Sequence, residues 1–174
     1  MPQNIEIKAR LTDLQRQLNL ARKLCGEEGR NLHQVDVFFR SDFGRLKLRR
    51  FEDGSGELIF YRRDDSTGPK LSEYVISPTN TPDALQEALT KAHGVTAVVE
   101  KERTVLIHGR TRIHLDQVSD LGDFLELEVV LPESESIASG QQEAAALMRD
   151  LDIDESMLID CAYVDLLLRQ KPTD

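Results

Sequence analysis

Ionisable side chains at every second position are the feature of this sequence that most restricts its fold. In an extended strand successive side chains point to opposite faces, so residues at i and i+2 share a face. One segment places Arg45, Lys47 and Arg49 on one face and Leu46 and Leu48 on the other. The same alternation joins Glu6 with Lys8, Lys101 with Arg103, Arg110 with Arg112, His114 and Asp116, and Glu126 with Glu128. The pattern predicts several strands that each have an apolar face and a charged face.

Short connections between these segments predict hairpins. Strand-like segments cover about residues 4–10, 31–40, 44–51, 56–63, 70–77, 96–108, 110–118 and 123–131. Turn residues such as Asp53-Gly54-Ser55-Gly56 separate them. Helical segments follow Asp13, begin at Pro82, and extend over about residues 134–150 and 156–170. Because eight antiparallel strands can close on themselves, the predicted fold class is α+β: an eight-stranded antiparallel closed β-barrel, forming a tunnel, with flanking helices, in a single domain over residues 1–174.

Composition argues against several classes of function. A net charge of −9 would repel duplex nucleic acid, whose binding depends on neutralising phosphates. No apolar run reaches about 18 residues, so no membrane-spanning helix is expected. The first residues do not form a basic segment followed by an apolar one, and Cys25 and Cys161 stand far apart, as reduced thiols do. We therefore expect a cytoplasmic protein that binds neither duplex nucleic acid nor membranes.

Two interpretations of the charged strand faces compete. For a single strand, a charged face in contact with solvent is the commoner case. Here, however, some faces are rich in Arg and Lys whereas another carries only carboxylates, and like charges that lie opposite each other destabilise a sheet. A polyanion bound together with a divalent cation would compensate both kinds of face, because Arg and Lys bind phosphate oxygens and clustered carboxylates bind Mg²⁺ or Mn²⁺. The complete pattern favours the ligand-binding interpretation.

Five segments in order along the chain carry recognisable motifs: Asn4-Ile5-Glu6-Ile7-Lys8, Gly44-Arg45-Leu46-Lys47-Leu48-Arg49, Lys101-Glu102-Arg103, Arg112 to Asp116 with Glu126-Leu127-Glu128, and Ala162 to Leu167. In that order they resemble the ExExK signature, the basic strand, the KxR strand, the acidic strands and the C-terminal Tyr segment of the CYTH superfamily, the triphosphate tunnel metalloenzymes. The resemblance extends over about residues 3–168.

The resemblance implies a set of site residues. A divalent cation, Mg²⁺ or Mn²⁺, would be held by the carboxylates of Glu6, Asp116, Glu126 and Glu128. The triphosphate would be held by the basic side chains of Lys8, Arg45, Lys47, Arg49, Lys70, Lys101, Arg103 and Arg112. Among these, Lys8, Arg49, Lys101 and Arg103 are also expected to act in catalysis, through positioning and charge stabilisation rather than as nucleophiles.

The sequence departs from the family pattern at two places. Asn4 replaces the first Glu of ExExK, and a neutral amide oxygen is a weaker ligand, which argues against a second metal site. Ser72 and Tyr74 stand where many members have Arg and Glu, so this strand is a candidate determinant of specificity. His114 is in phase with the charged residues, although a single His is more often a structural donor.

The resemblance leaves three functions open. The first is a class IV adenylyl cyclase-like enzyme that converts ATP to cyclic AMP and pyrophosphate. The second is a triphosphatase that hydrolyses inorganic triphosphate, thiamine triphosphate or a nucleoside triphosphate. The third is a non-catalytic module that binds polyphosphate or nucleotide. The expected partner is thus ATP, tripolyphosphate or thiamine triphosphate. Because Phe38 and Phe51 fall in apolar strand patterns, we expect them to pack, with binding led by the phosphates rather than a base.

Overall fold

A computed structural model, which describes residues 3–63 and 68–170, contains every predicted strand within about two residues of its expected bounds. The strands are β1 (Gln3–Arg10), β2 (Arg30–Phe39), β3 (Arg45–Phe51), β4 (Gly56–Arg63), β5 (Lys70–Thr79), β6 (Val95–His108), β7 (Thr111–Val118) and β8 (Gly122–Leu131). Their order around the sheet is β1-β5-β4-β3-β2-β6-β7-β8, and all neighbours are antiparallel. Since β1 pairs with both β5 and β8, the sheet closes, which confirms the predicted α+β barrel.

Helices flank the barrel. They are α1 (Leu14–Cys25), α2 (Pro82–His93), α3 (Ile137–Asp150) and α4 (Tyr163–Gln170), with a 3₁₀ turn at Glu155–Met157. The Asp13 side chain caps α1 by accepting a hydrogen bond from the Arg16 N–H, and Gly26, at φ 69°, ends the helix. No helix among residues 3–63 and 68–170 is long and apolar enough to cross a membrane.

The helix predicted over residues 156–170 is interrupted in the structure. Leu158 forms an isolated antiparallel bridge with Ala9, and the Ile159 N–H donates to the Lys8 carbonyl oxygen at 3.0 Å. This segment therefore pairs with β1 in an extended conformation, and α4 starts only at Tyr163. A local helical pattern cannot reveal this pairing, because it depends on a strand some 150 positions earlier in the chain.

The main hydrophobic core lies between the barrel's outer surface and the helices. Outward side chains of β1, β7 and β8, among them Ile5, Ile7 and Leu127, are fully buried against α1 and α3. The approach of α3 is close: a Cβ on Gly140 would lie 2.7 Å from Leu131 Cδ2. Because the apolar faces are used outside, the barrel interior is available for the charged faces.

The two ends of the barrel differ. At one end, Phe38, Val99 and Phe124 on the inner faces pack against Ala162 and Tyr163 of the C-terminal segment. At the other end, the turn between β3 and β4 and the adjoining strand ends form the rim, which we call the mouth: Arg30 to His33, Phe51 to Asp53, Ser55, Glu57 and Ile76.

Candidate functional site

The barrel encloses a cavity of about 710 Å³ lined by side chains from every strand. This volume lies within the usual range for sites that bind small organic molecules. Six of the eight predicted phosphate-binding residues line it: Lys8, Lys47, Arg49, Lys101, Arg103 and Arg112. The other two contact the C-terminal segment. An Arg45 guanidinium nitrogen lies 2.8 Å from Asp165 Oδ2, and Lys70 Nζ donates to the Asp160 carbonyl oxygen at 3.1 Å.

Arg110, predicted to share the charged inner face of β7, lies elsewhere. The strand begins at Thr111, and the Arg110 guanidinium binds Glu143 of α3 at 2.8 Å and Glu135 at 3.0 Å. It therefore helps to hold α3 on the outer surface rather than contributing to the cavity.

Ion pairs join the cavity's cations to its carboxylates. Lys8 Nζ lies 2.6 Å from Glu126 Oε2, and Arg112 Nε lies 3.0 Å from Glu128 Oε2. Glu6 Oε2 accepts a hydrogen bond of 2.8 Å from Arg63, a residue that the sequence analysis did not single out. Arg63 alternates along β4 with Glu57, Ile59 and Tyr61, which share the inner face. This alternation could have identified Arg63 from the sequence.

Asp36 is a second site residue that the sequence analysis missed. It receives hydrogen bonds from Arg49 at 2.8 and 2.9 Å and from Lys47 at 2.7 Å. Burial disfavours the charged carboxylate, but Arg49 and Lys47 outweigh it and hold the pKa of Asp36 well below its usual value. Asp36 thus fixes two of the predicted phosphate-binding side chains. Asp36 shares a strand face with Gln34 and Phe38, and this alternation in the sequence could have identified it as an inward residue.

Asp116 lies fully buried behind the cavity lining. Arg103 Nε and Nη2 each donate to its carboxylate at 2.6 Å, and the Tyr163 hydroxyl donates to Oδ2 at 2.8 Å. Burial alone would raise the pKa of Asp116, but Arg103 and Lys101 lower it well below the usual value. Both carboxylate oxygens are engaged in this arrangement, so the metal-ligand role predicted for Asp116 stays a prediction.

Glu126, Glu128 and His114 bring together side-chain atoms that could hold a metal. One potential ligand atom from each lies within 4.8 Å of the other two. Glu128 also pairs in register with Glu6 across β1 and β8, so three of the four predicted carboxylates are neighbours. Carboxylate oxygens of this kind meet the preference of Mg²⁺ or Mn²⁺.

The electrostatics of these three residues fit a divalent cation. Burial, followed by the nearby Arg103, holds the pKa of His114 well below its usual value, so the imidazole is neutral. The His114 Nδ1 atom is buried and makes no hydrogen bond with any residue that the structure describes, so in the tautomer protonated on Nε2 its lone pair could bind a metal. Burial, Glu126 and Glu6 raise the pKa of Glu128 to about 7. A cation would relieve this crowding of carboxylates.

Two lysines of the cavity lie in a region with too much positive charge. Burial and the neighbouring Arg103 lower the pKa of Lys101 to about 7, and burial and Arg49 lower the pKa of Lys47 to about 8. An anion bound between these side chains would favour their charged forms. The cavity therefore has one region short of negative charge and another short of positive charge.

Tyr163 connects α4 to both regions. Its ring lies 3.7 Å below Lys8 Nζ and 5.2 Å from Lys101 Nζ, measured to the ring centroid, while its hydroxyl binds Asp116. The sequence analysis identified the Tyr-containing segment without distinguishing a packing role from a site role. In the structure Tyr163 lines the cavity and orients its cations.

Comparisons with known proteins agree with this geometry. A family model described as the CYTH domain matches residues 2–163. Among curated proteins none matches the chain.

Several solved structures share the fold. The PH1012 protein of Pyrococcus horikoshii is 20% identical, with a TM-score of 0.80 over 94% of this chain and 98% of its own. A proposed adenylate cyclase from Vibrio parahaemolyticus is 19% identical, with a TM-score of 0.79 over 95% and 97% of the two chains. The Pct1 RNA triphosphatase of Schizosaccharomyces pombe is 14% identical, with a TM-score of 0.52 over 84% and 77%. At these identities the likeness establishes the fold alone.

Proposed function

The chain belongs to the CYTH family, and we propose that it is a divalent-metal-dependent enzyme that acts on a triphosphate inside the barrel. Members of this family bind triphosphates, and they are generally enzymes that depend on a divalent cation. For this chain, the activity, the metal and the substrate are our proposals.

One observation carries the proposal: the cationic and the carboxylate regions meet in a single cavity. An Arg103 guanidinium nitrogen lies 3.7 Å from Glu126 Oε2, and Glu126 in turn belongs to the group formed with Glu128 and His114. A triphosphate whose oxygens contact Lys47, Lys101 and Arg103 would therefore present other oxygens to the carboxylate region. Glu126, Glu128 and His114, with Glu6 adjacent, would hold a divalent cation, which would supply positive charge to stabilise the phosphate oxygens.

The favoured reaction is cyclisation of ATP, as in class IV adenylyl cyclases. The ribose 3′-oxygen forms a bond to the α-phosphorus and loses its proton to solvent. The bond from the α-phosphorus to the bridging oxygen of the β-phosphate breaks, and pyrophosphate leaves with the electron pair. Lys8, Arg49, Lys101 and Arg103 stabilise the charge that develops on the phosphate oxygens, so no protein nucleophile is needed. The proposed cyclase of the same fold supports this choice.

Hydrolysis of the terminal phosphate is the second candidate. The same cation-lined cavity can hold a triphosphate while water attacks the γ-phosphorus and a diphosphate leaves, releasing orthophosphate. An RNA triphosphatase of the same fold supports this alternative. The observation on this chain that favours it is that the basic side chains lining the cavity, such as Lys47, Lys101 and Arg103, suit phosphate oxygens whatever group the phosphate chain carries.

Product analysis distinguishes the candidates. The protein is incubated with ATP, tripolyphosphate or thiamine triphosphate in Mg²⁺ or Mn²⁺, with the metal-chelated reaction as control. Cyclic AMP with pyrophosphate identifies a cyclase, and orthophosphate identifies a triphosphatase. Binding of all three compounds without any product would leave the non-catalytic module as the function and would reject the enzymatic proposal.

A further inference from the structure

Arg63 brings a positive charge of the protein itself to the carboxylate region of the cavity. Its side chain is only 3% exposed, and its Nη1 atom donates to Glu6 Oε2 at 2.8 Å. A guanidinium stays charged at every physiological pH, and a buried charge is tolerated only where other groups compensate it. Arg63 lies at the end of β4 that is farther from the mouth, so this ion pair belongs to the inner part of the cavity.

One side of this guanidinium has no partner in the protein. Arg63 Nε is buried and makes no hydrogen bond with any residue in the ranges 3–63 and 68–170. The Ser72 hydroxyl and Asn4 Oδ1 are likewise buried and unpaired among these residues. Ser72 pairs with Arg63 across β4 and β5 and with Asn4 across β5 and β1, so the three polar groups are neighbours in the sheet. Unsatisfied buried groups are uncommon, and three together indicate that a ligand or an ordered water binds there.

The charge of this group is unsuitable for a second metal ion. Glu6 supplies its negative charge, and the Arg63 guanidinium cancels it. The Asn4 and Ser72 oxygens are neutral, whereas sites for Mg²⁺ or Mn²⁺ rely on carboxylates. A divalent ion placed between Glu6 and Asn4 would also be repelled by Arg63.

Asn4 is the kind of residue expected beside such an ion pair. The pair of Glu6 and Arg63 is already neutral, so another carboxylate at position 4 would be buried without a cation of its own. The departure of Asn4 from the ExExK signature and the inward position of Arg63 therefore have one physical explanation.

We propose that Arg63 takes the place of a second metal ion, so that this chain holds its triphosphate with one divalent cation. That cation belongs to the group of Glu126, Glu128 and His114. Glu6 fixes the Arg63 guanidinium from one side, and Arg63 Nε together with the Ser72 hydroxyl donates to a phosphate oxygen from the other. This inference rests on the proposed function, because it requires a triphosphate in the cavity.

The chain offers a matched pair of arginines to test this role. Arg62 is the neighbour of Arg63 in β4, but its side chain is 62% exposed, and its Nη2 atom lies 4.0 Å from Glu73 Oε2. Arg63→Met removes the inner charge and keeps an unbranched side chain, and Arg62→Met makes the same change outside the cavity. Asn4→Glu combined with Arg63→Met adds a second carboxylate and removes the guanidinium, so two carboxylates become free to hold an ion.

Bound Mn²⁺ is counted per chain in the presence of the bismethylene analogue of tripolyphosphate, which cannot be hydrolysed. Equilibrium gel filtration in buffer that contains both compounds, followed by elemental analysis of the protein peak, gives the bound manganese and, from phosphorus, the bound analogue. We expect one Mn²⁺ per chain in the wild type and in Arg62→Met, and two in the double variant. At equal Mn²⁺ concentration the analogue should bind Arg63→Met about 10-fold more weakly than it binds the wild type, and Arg62→Met within about 2-fold.

Two Mn²⁺ ions per analogue-bound wild-type chain would overturn the inference, and this count decides the matter even if circular dichroism shows that a variant does not fold. A count of one in the folded double variant, or equal affinity of Arg63→Met and Arg62→Met for the analogue, would also overturn it. These outcomes leave the proposed function intact. If the wild type bound no analogue at any Mn²⁺ concentration, the proposed function itself would fail.

Discussion

Asp116→Asn distinguishes two roles for the most deeply buried carboxylate of the site. If Asp116 orients Arg103, the substitution removes the charged partner of a fully buried guanidinium. If Asp116 is a metal ligand, as the family resemblance implies, the substitution removes part of the metal site. The two roles predict losses in different measurements.

The size of the expected stability loss follows from the contacts. Arg103 makes two bonds of 2.6 Å to Asp116, and breaking a buried ion pair by removing one partner costs about 3–5 kcal/mol. Asn keeps one acceptor oxygen, and Glu126 remains 3.7 Å from Arg103, so a loss of about 3 kcal/mol is expected. For a chain of this length that corresponds to a fall in Tm of roughly 6–12 °C.

Thermal unfolding and Mn²⁺ titration of the same variants provide the test. Asp116→Asn should lower Tm by that amount while reducing Mn²⁺ affinity less than Glu128→Gln does. Asp42→Asn, on an exposed turn, serves as the control and should change stability by no more than about 0.5 kcal/mol. An unchanged Tm together with a loss of Mn²⁺ affinity as large as that of Glu128→Gln would refute the orienting role.

Three further outcomes are expected. Glu128→Gln should abolish metal-dependent turnover without unfolding the protein, as checked by activity at limiting metal and by circular dichroism; full activity would remove Glu128 from the metal site. Because the pKa values of Lys101 and Lys47 are lowered to about 7 and 8, binding of tripolyphosphate should take up protons and weaken as pH rises above about 7. Calorimetry in buffers of different ionisation enthalpy measures this uptake, and Lys101→Arg should reduce it. Gly140→Ala should destabilise the protein by about 1–3 kcal/mol in denaturant unfolding, since its Cβ would lie 2.7 Å from Leu131; unchanged stability would mean that α3 shifts freely.

The strands and the grouping of charged side chains on one face of each strand could be predicted because both depend on local information. Alternation fixes which side chains share a face of one strand, as for Lys47 and Arg49. Turn residues such as Gly54 fix where strands end. The helix boundaries at Asp13 and Gly26 were likewise readable from capping residues.

The composition of the metal group could not be predicted in the same way, because it depends on register between strands. Within one strand, His114 and Asp116 are equivalent, since both face inward. The pairing of β7 with β8 places His114 opposite Glu126, whereas it places Asp116 opposite Phe124. Asp116 then meets Arg103 on the other neighbouring strand. The stagger of strands in a closed barrel therefore decides which inward residue joins the carboxylates.

The same stagger pairs most of the inward charges within the protein. Lys47 and Arg49 both bind Asp36, Lys8 binds Glu126, and Arg63 binds Glu6. Most basic side chains of the cavity, among the residues that the structure describes, are therefore paired with carboxylates of the protein. Only small local excesses of charge remain, at Glu128 on one side and at Lys101 on the other. A triphosphate with a divalent cation carries both signs of charge. Its binding would therefore exchange one set of paired charges for another rather than bury unpaired ones.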